Sequence, residues 1–222
     1  MEYKKIHPWD VDITEAIRIQ EQLKKMVVLE NKSLNPRKIA AVDVGYFKDS
    51  AKAVVCIFSY PTLSLIEIKN AYKKISFPYI PSFLSFREGP VILEAFKKVK
   101  NIPDLILFDG QGILHPRRLG IATHMGIILD LPTIGCAKSL LFGKFNPVAY
   151  KRGNFSYIYD EATREILGIA LCSRSKVKPI FISPGYKIDL KKSKEIVFNL
   201  TSRYRIPEPL RFAHKLTKDG TV

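Results

Sequence analysis

The sequence has few cysteines and no long apolar run. Its three cysteines, Cys56, Cys136 and Cys172, lie far apart in the chain. An odd number without metal-ligand spacing argues against a disulfide framework, and their apolar surroundings predict small core residues. No apolar stretch approaches the roughly 18 residues of a membrane span, and the N-terminal segment lacks the apolar region of a signal peptide. We therefore expect a cytoplasmic protein that has no membrane partner.

Acidic residues are also scarce relative to basic ones. Thirty-six Lys and Arg residues against 21 Asp and Glu residues give a formal net charge of +15. A charge of this size favours a polyanionic partner, because Lys and Arg displace counterions from phosphates. The alternative is a generic basic surface, since the charge is spread along the whole chain.

The apolar patterns predict one α/β domain spanning residues 1–222. Strands are expected over 38–47, 51–61, 64–77, 104–109, 132–140 and 178–185, with a hairpin over 155–174. Helices are expected over 12–30, 85–101, 118–131, 189–201 and 207–218, with Pro90 near the start of the second. A strand meander followed by alternating helices and strands predicts a mixed central sheet flanked by helices.

Two aspartates come directly after apolar strand patterns, Asp43 after "IAAV" and Asp109 after "LILF". A carboxylate there must be solvated, hydrogen-bonded or bound to a cation, because an unpaired buried charge is costly. If the two strands are neighbours, both carboxylates meet, and their oxygens suit Mg²⁺. Glu88 is a candidate third acid, although it could simply be a first-turn charge favoured by the helix dipole.

The segment after Asp109 is rich in glycine. Gly110 and Gly112 would let a ligand approach the backbone, or they would simply form a tight turn. Lys138 follows a short strand and could neutralise a phosphate, although a lone lysine in that position is ordinarily a surface residue. His115 and His214 show no zinc-like spacing, and His214 on its own is expected to be a packing residue of a helix.

Two prolines stiffen the segment "FPYIPSF". Pro78 and Pro81 restrict the backbone around Tyr79 and Ile80. A rigid apolar tip suits a protein that wedges between bases and holds a gap open. The alternative is a rigid loop that packs on its own domain.

Six segments together resemble the endonuclease V family: "AAVDVGYF", "FPYIPSFLSFREGP", "DLILFDGQGILHPRRLGIATHMGI", "PTIGCAKSLLFG", "PIFISPG" and "RIPEPLRFAHKLT". The resemblance implies a ribonuclease-H-like fold and Mg²⁺ dependence, with Mn²⁺ able to substitute. It implies a DNA repair endonuclease that recognises deoxyinosine and hydrolyses the second phosphodiester bond 3′ to the lesion, leaving a 3′-hydroxyl and a 5′-phosphate. An endoribonuclease specific for inosine in RNA is the alternative. We expect a monomer.

The same resemblance assigns the catalytic residues. Asp43 and Asp109 match the two metal-binding aspartates, and Glu88 matches the third active-site acid. Lys138 matches the lysine near the scissile phosphate, and His214 matches the histidine close to the metal. By this reading all five residues belong to one active site, in which Asp43 and Asp109 bind metal.

The resemblance also assigns the residues that handle the base. The strand-separating wedge would be Pro78, Tyr79, Ile80 and Pro81, and the hypoxanthine pocket Leu84, Gly110, Gly112 and Ile121. His115 belongs to the pocket loop and would support it. Two positions depart from the family pattern: Ser82 stands where glycine commonly follows the wedge, and Gly45 where serine commonly follows the first aspartate by two residues.

Two other functions compete with this reading. Sugar kinases and actin-type ATPases share the fold and carry an Asp-x-Gly like that of residues 43–45, but they need two such domains and an adenosine site, for which 222 residues are too few. A non-catalytic nucleic-acid-binding module would explain the charge but not the acids at the strand ends.

Overall fold

One mixed sheet of eight strands organises the computed structural model, which describes residues 1–30 and 34–218. The strands are β1 (Lys38–Phe47), β2 (Ser50–Ser59), β3 (Leu65–Lys74), β4 (Leu105–Phe108), β5 (Thr133–Ala137), β6 (Phe155–Tyr159), β7 (Ile166–Leu171) and β8 (Ile180–Tyr186). Their order is β3-β2-β1-β4-β5-β8-β7-β6. The pairs β1–β4 and β4–β5 are parallel, and the other pairs are antiparallel. The predicted ribonuclease-H-like α/β fold is confirmed.

Five helices accompany this sheet in the described ranges: α1 (Ile13–Lys24), α2 (Leu84–Lys97), α3 (Ile121–Leu129), α4 (Leu190–Asn199) and α5 (Glu208–Lys218). Side chains of β1 alternate between the two faces. Ala40 and Val42 pack in the core cluster shared with α2 and α3, whereas Ile39 and Ala41 pack in the cluster shared with α4 and α5. Because both faces are covered, the central strands read as continuous apolar runs.

The cysteine prediction is confirmed, since all three cysteines are buried free thiols. Among the described residues, we find no helix with the length and apolarity that a membrane crossing requires.

Helix α2 begins within one residue of its predicted start, at Leu84, and ends at Lys97 rather than at residue 101. Pro90 is its seventh residue and lies past the first turn, so the helix loses one backbone hydrogen bond there. Glu88 lies past the first turn and is only 8% exposed. The alternative interpretation of Glu88 as a first-turn charge favoured by the helix dipole is therefore wrong, and this position instead directs its carboxyl group into the protein.

Candidate active site

The parallel pairing of β1 with β4 brings the two strand-end aspartates together. Val42 lies opposite Phe108 in this register, so Asp43 and Asp109 follow at the same edge of the sheet. Helix α5 adds His214 from one side. One ligand atom from each of these three residues lies within 4.8 Å of the other two. The sheet and α5 thus assemble an acidic cluster that could hold a metal ion.

Two side chains of α5 contact the carboxylate of Asp43. Its Oδ2 atom accepts a hydrogen bond from Thr217 Oγ1 at 2.8 Å and contacts His214 Nδ1 at 3.0 Å. Because an ionised carboxylate only accepts hydrogen bonds, His214 must carry its proton on Nδ1 in that state. Burial raises the pKa of Asp43, the Thr217 bond opposes this, and the charge of Asp109 adds to the rise. A cation between the carboxylates would relieve both unfavourable effects, so the donor set fits a metal ion.

Lys138 provides a positive charge beside Asp109. It follows β5, and its Nζ atom forms an ion pair with Asp109 Oδ2. Together with Asp43, Glu88 and His214, these two residues line a cavity of about 270 Å³. The structure thus brings all five predicted catalytic residues to one cavity. Their roles in the reaction stay predictions.

Glu88 enters this cavity from α2. Its Oε1 atom accepts a hydrogen bond from the Tyr46 hydroxyl at 2.6 Å. Burial raises the pKa of Glu88 to about 8, the Tyr46 bond opposes the rise, and the charges of Asp43 and Asp109 add to it. In the absence of a bound cation, Glu88 is therefore mainly protonated at neutral pH and able to donate a proton.

Sequence reasoning missed two residues that hold the acids, Tyr46 and Thr217. Tyr46 follows Val42 by four residues in β1, so both side chains point to the face of the sheet that packs against α2. The alternation of side chains along β1 could therefore have placed Tyr46 near Glu88. Thr217 is 174 residues from Asp43 in the sequence. No local pattern could have paired those two residues.

The wedge segment forms an exposed tip. Tyr79 is 70% exposed, more than any other large apolar side chain within residues 1–30 and 34–218, and Pro78 and Pro81 beside it are also exposed. Ile80 is only partly buried and packs against the core cluster that contains Phe83. The tip therefore projects from the domain and is anchored at its base.

The residue after the wedge adopts a left-handed conformation. Ser82 has φ +70°, which explains physically why glycine is suited to this position. In this chain the Ser82 carbonyl accepts hydrogen bonds from Gln20 at 2.8 Å and His115 Nε2 at 2.9 Å. Arg117 donates to the Ser82 hydroxyl at 2.8 Å. These side-chain bonds hold the turn that a glycine would adopt more easily.

His115 connects the glycine loop to the wedge. Burial lowers the pKa of His115 to about 4, so the ring is neutral at pH 7. Its Nδ1 atom accepts from the backbone N–H of Arg117 at 3.1 Å, which leaves Nε2–H to donate to Ser82. One histidine therefore fixes the relative position of both segments.

Three of the four predicted pocket residues lie together. Leu84 and Ile121 line a small cavity between α2, α3 and the glycine loop. A Cβ atom on Gly110 would come within 2.6 Å of Ile121 Cγ2 and 3.9 Å of Leu84 Cδ2. Gly112 instead packs against β8, where its N–H donates to Ser183 Oγ at 2.8 Å. Ile121 also lines the acidic cavity, so the two cavities are neighbours.

Comparison with known proteins identifies consistent relatives. The family model described as Endonuclease V matches residues 21–215. Endonuclease V of Dictyoglomus turgidum is 48% identical over 204 residues, covering 92% of this chain and 89% of that protein. Endonuclease V of Nostoc sp. is 46% identical over 216 residues, covering 96% and 97%.

Solved structures agree with the sequence relatives. The crystal structure of Endonuclease V from Streptomyces avermitilis has a TM-score of 0.88 and 35% identity, covering 94% of this chain and 92% of that one. The structure from Ciona intestinalis has a TM-score of 0.81 and 30% identity, covering 92% and 95%. That protein is in complex with a 24mer DNA containing an inosine followed by a ribo-adenosine.

Proposed function

This chain belongs to the endonuclease V family, and from that premise we propose that it is a Mg²⁺-dependent DNA repair endonuclease. It recognises deoxyinosine and hydrolyses the second phosphodiester bond on the 3′ side, leaving a 3′-hydroxyl and a 5′-phosphate. The observation that carries this proposal is the cluster of Asp43, Asp109 and His214 in a cavity next to a separate small pocket. The inosine-containing DNA bound by the Ciona protein supports the substrate class.

Asp43 and Asp109 would hold the metal, with His214 beside it. Hard carboxylate oxygens suit Mg²⁺, and Mn²⁺ could substitute at the same ligands. The ion would supply Lewis-acid stabilisation of the phosphate and lower the pKa of a bound water. Thr217 orients Asp43 for this purpose through its 2.8 Å hydrogen bond.

Lys138 neutralises charge, and Glu88 transfers a proton. Lys138 neutralises the scissile phosphate. Because its side chain is exposed and flexible, its Nζ atom can move from Asp109 to the phosphate. Glu88 moves a proton at its Oε atoms, because its carboxyl group lies in the same cavity as the two metal-binding aspartates. Tyr46 holds that carboxyl group in place.

Recognition requires the inosine base to rotate out of the DNA double helix. Tyr79 fills the gap that the flipped nucleotide leaves, and the base enters the pocket beside Gly110, Leu84 and Ile121. Extrusion costs a few kcal/mol, and a mispaired inosine reduces this cost. Ile121 lines both the pocket and the acidic cavity, so a base bound in the pocket lies beside the acids. A phosphate farther along the same DNA strand can then reach the acids.

Cleavage of inosine-containing RNA is the second candidate function. The Ciona complex, in which a ribo-adenosine follows the inosine, favours it, because the ribose lies on the 3′ side, where the cut is expected. In either case we propose one catalytic domain that acts as a monomer in the cytoplasm. Light scattering of the purified protein would test the oligomeric state.

Four end-labelled substrates test the function directly: single-stranded and double-stranded DNA and RNA, each with one inosine and each paired with an adenine control. Incubation with Mg²⁺ should cut inosine-containing DNA at the second 3′ bond and leave the adenine controls intact. Release of free hypoxanthine, or a nick on the 5′ side of the lesion, would show a different reaction.

A further inference from the structure

Gln111 lies between the two loop glycines and carries an unusual buried atom. The residue is 7% exposed, and its Nε2 atom donates to the Ser139 carbonyl at 2.9 Å. Because a carbonyl can only accept, this bond fixes which end of the side-chain amide is nitrogen. The other end, Oε1, is buried and has no hydrogen-bond partner within residues 1–30 and 34–218.

A buried acceptor without a partner is energetically costly. Gln111 lines the small pocket together with the apolar side chains of Leu84 and Ile121. Two other polar side chains of the pocket are already engaged, Ser85 Oγ with His124 at 2.8 Å and His115 with the Ser82 carbonyl. Gln111 is therefore a residue of the pocket lining that carries an acceptor atom in need of a donor.

The backbone of the loop is largely committed elsewhere. The N–H of Gly110 donates to the Phe108 carbonyl at 3.0 Å, and that of Gly112 donates to Ser183. The Gln111 carbonyl accepts from the Ala122 N–H at 3.0 Å. Among these groups, the Gln111 side chain is the acceptor whose bonding capacity is entirely unused.

We propose that Gln111 is a specificity-determining residue whose Oε1 atom accepts the N1–H of the hypoxanthine base. This inference rests on the proposed function, which places inosine in this pocket. Adenine has a bare N1 acceptor, so two lone pairs would face each other and Oε1 would stay unsatisfied. Guanine carries the same N1–H as hypoxanthine, so Gln111 rejects adenine but not guanine. Guanine is instead excluded by the limited space around its 2-amino group.

A substrate-by-variant comparison separates this role from a structural one. Single-turnover cleavage would be measured on DNA containing inosine or 2′-deoxynebularine, an analogue that lacks both O6 and the N1 hydrogen. Gln111→Met removes the acceptor at similar side-chain length. It should slow cleavage at inosine about tenfold to a hundredfold and change cleavage at nebularine less than about twofold. Equal losses on both substrates would overturn the proposal and leave Gln111 as a support for the loop through Ser139.

A second variant protects the test against a folding defect. Gln111→Leu also lacks the acceptor oxygen but differs from Met in shape, and urea unfolding of both variants checks that they are folded. It should lose the preference for inosine over nebularine as Gln111→Met does, and a wild-type ratio in either folded variant would contradict the proposal. Wild-type protein that cuts both substrates equally would also overturn it. Wild-type protein that cuts no inosine substrate would refute the proposed function itself, which is a distinguishable result.

Discussion

Gly45 lies where β1 touches the last turn of α5, and a side chain there should disturb the acidic cluster. A Cβ atom would come within 2.8 Å of the Thr217 carbonyl oxygen and 3.0 Å of the Thr217 Cβ, whereas ordinary contacts are 3.4–4 Å. Neither atom is the tip of a flexible side chain. Gly45→Ser must therefore push α5 back by roughly half an ångström. The same helix carries the two groups that bind Asp43 Oδ2, Thr217 and His214.

Both stability and rate should respond to that displacement. Overpacking of this kind costs about 1–3 kcal/mol in the free energy of unfolding. A misplacement of about 1 Å costs on the order of a hundredfold in rate, so we expect roughly tenfold for Gly45→Ser. Gly45→Ala adds the same Cβ without a hydroxyl and should behave alike. Thr217→Val removes the hydrogen bond to Asp43 but leaves the backbone of α5 in place, which separates the two effects.

Urea unfolding and single-turnover cleavage of an inosine oligomer are the assays for these variants. We expect Gly45→Ala and Gly45→Ser to lose both stability and rate, and Thr217→Val to lose rate. Wild-type stability and rate in both Gly45 variants would refute the reasoning, because α5 would then accept the side chain at no cost.

Three further predictions concern the wedge, the lysine and the edge of the sheet. Tyr79→Ala should weaken binding to inosine duplexes more than to undamaged duplexes, since general affinity comes from phosphates; equal losses in titrations of both would make Tyr79 a structural residue. Lys138→Ala should slow the single-turnover rate about tenfold to a thousandfold, and an unchanged rate would remove it from catalysis. Burial alone would raise the pKa of Glu67, but hydrogen bonds from Asn101 and the Lys100 N–H outweigh it and lower the pKa to about 2. The advantage of wild type over Glu67→Gln in urea, about 1–2 kcal/mol, should therefore be full above about pH 4.5 and disappear as the pH falls towards 2; a constant difference down to pH 2 would contradict this.

Local patterns predicted the sheet and its acids well, because those features depend on short stretches of chain. The apolar runs before Asp43 and Asp109 are strands, and the carboxylates meet because β1 and β4 are parallel neighbours. Residues that act through distant contacts escaped prediction. Thr217 belongs to this class, since it contacts an acid 174 residues away in the sequence.

Tertiary contacts also override the predicted helix ends. The first helix was expected over 12–30 but ends at Lys24, even though the apolar pattern continues. The Val28 carbonyl instead accepts the Lys187 N–H at 2.6 Å, and Leu29 packs against the cluster that contains Ile158. The local apolar periodicity carries no information about either partner, because both lie more than 100 residues away in the chain.

The central claim is that Asp43 and Asp109 form the metal site that cuts inosine-containing DNA. The most direct measurement compares cleavage and binding of one inosine oligomer by wild type, Asp43→Asn and Asp109→Asn in Mg²⁺. Both variants keep the size of the side chain and lose its charge. We predict that cleavage is abolished in both variants while affinity for the inosine oligomer stays close to that of wild type. Near-normal cleavage by either variant would contradict the account.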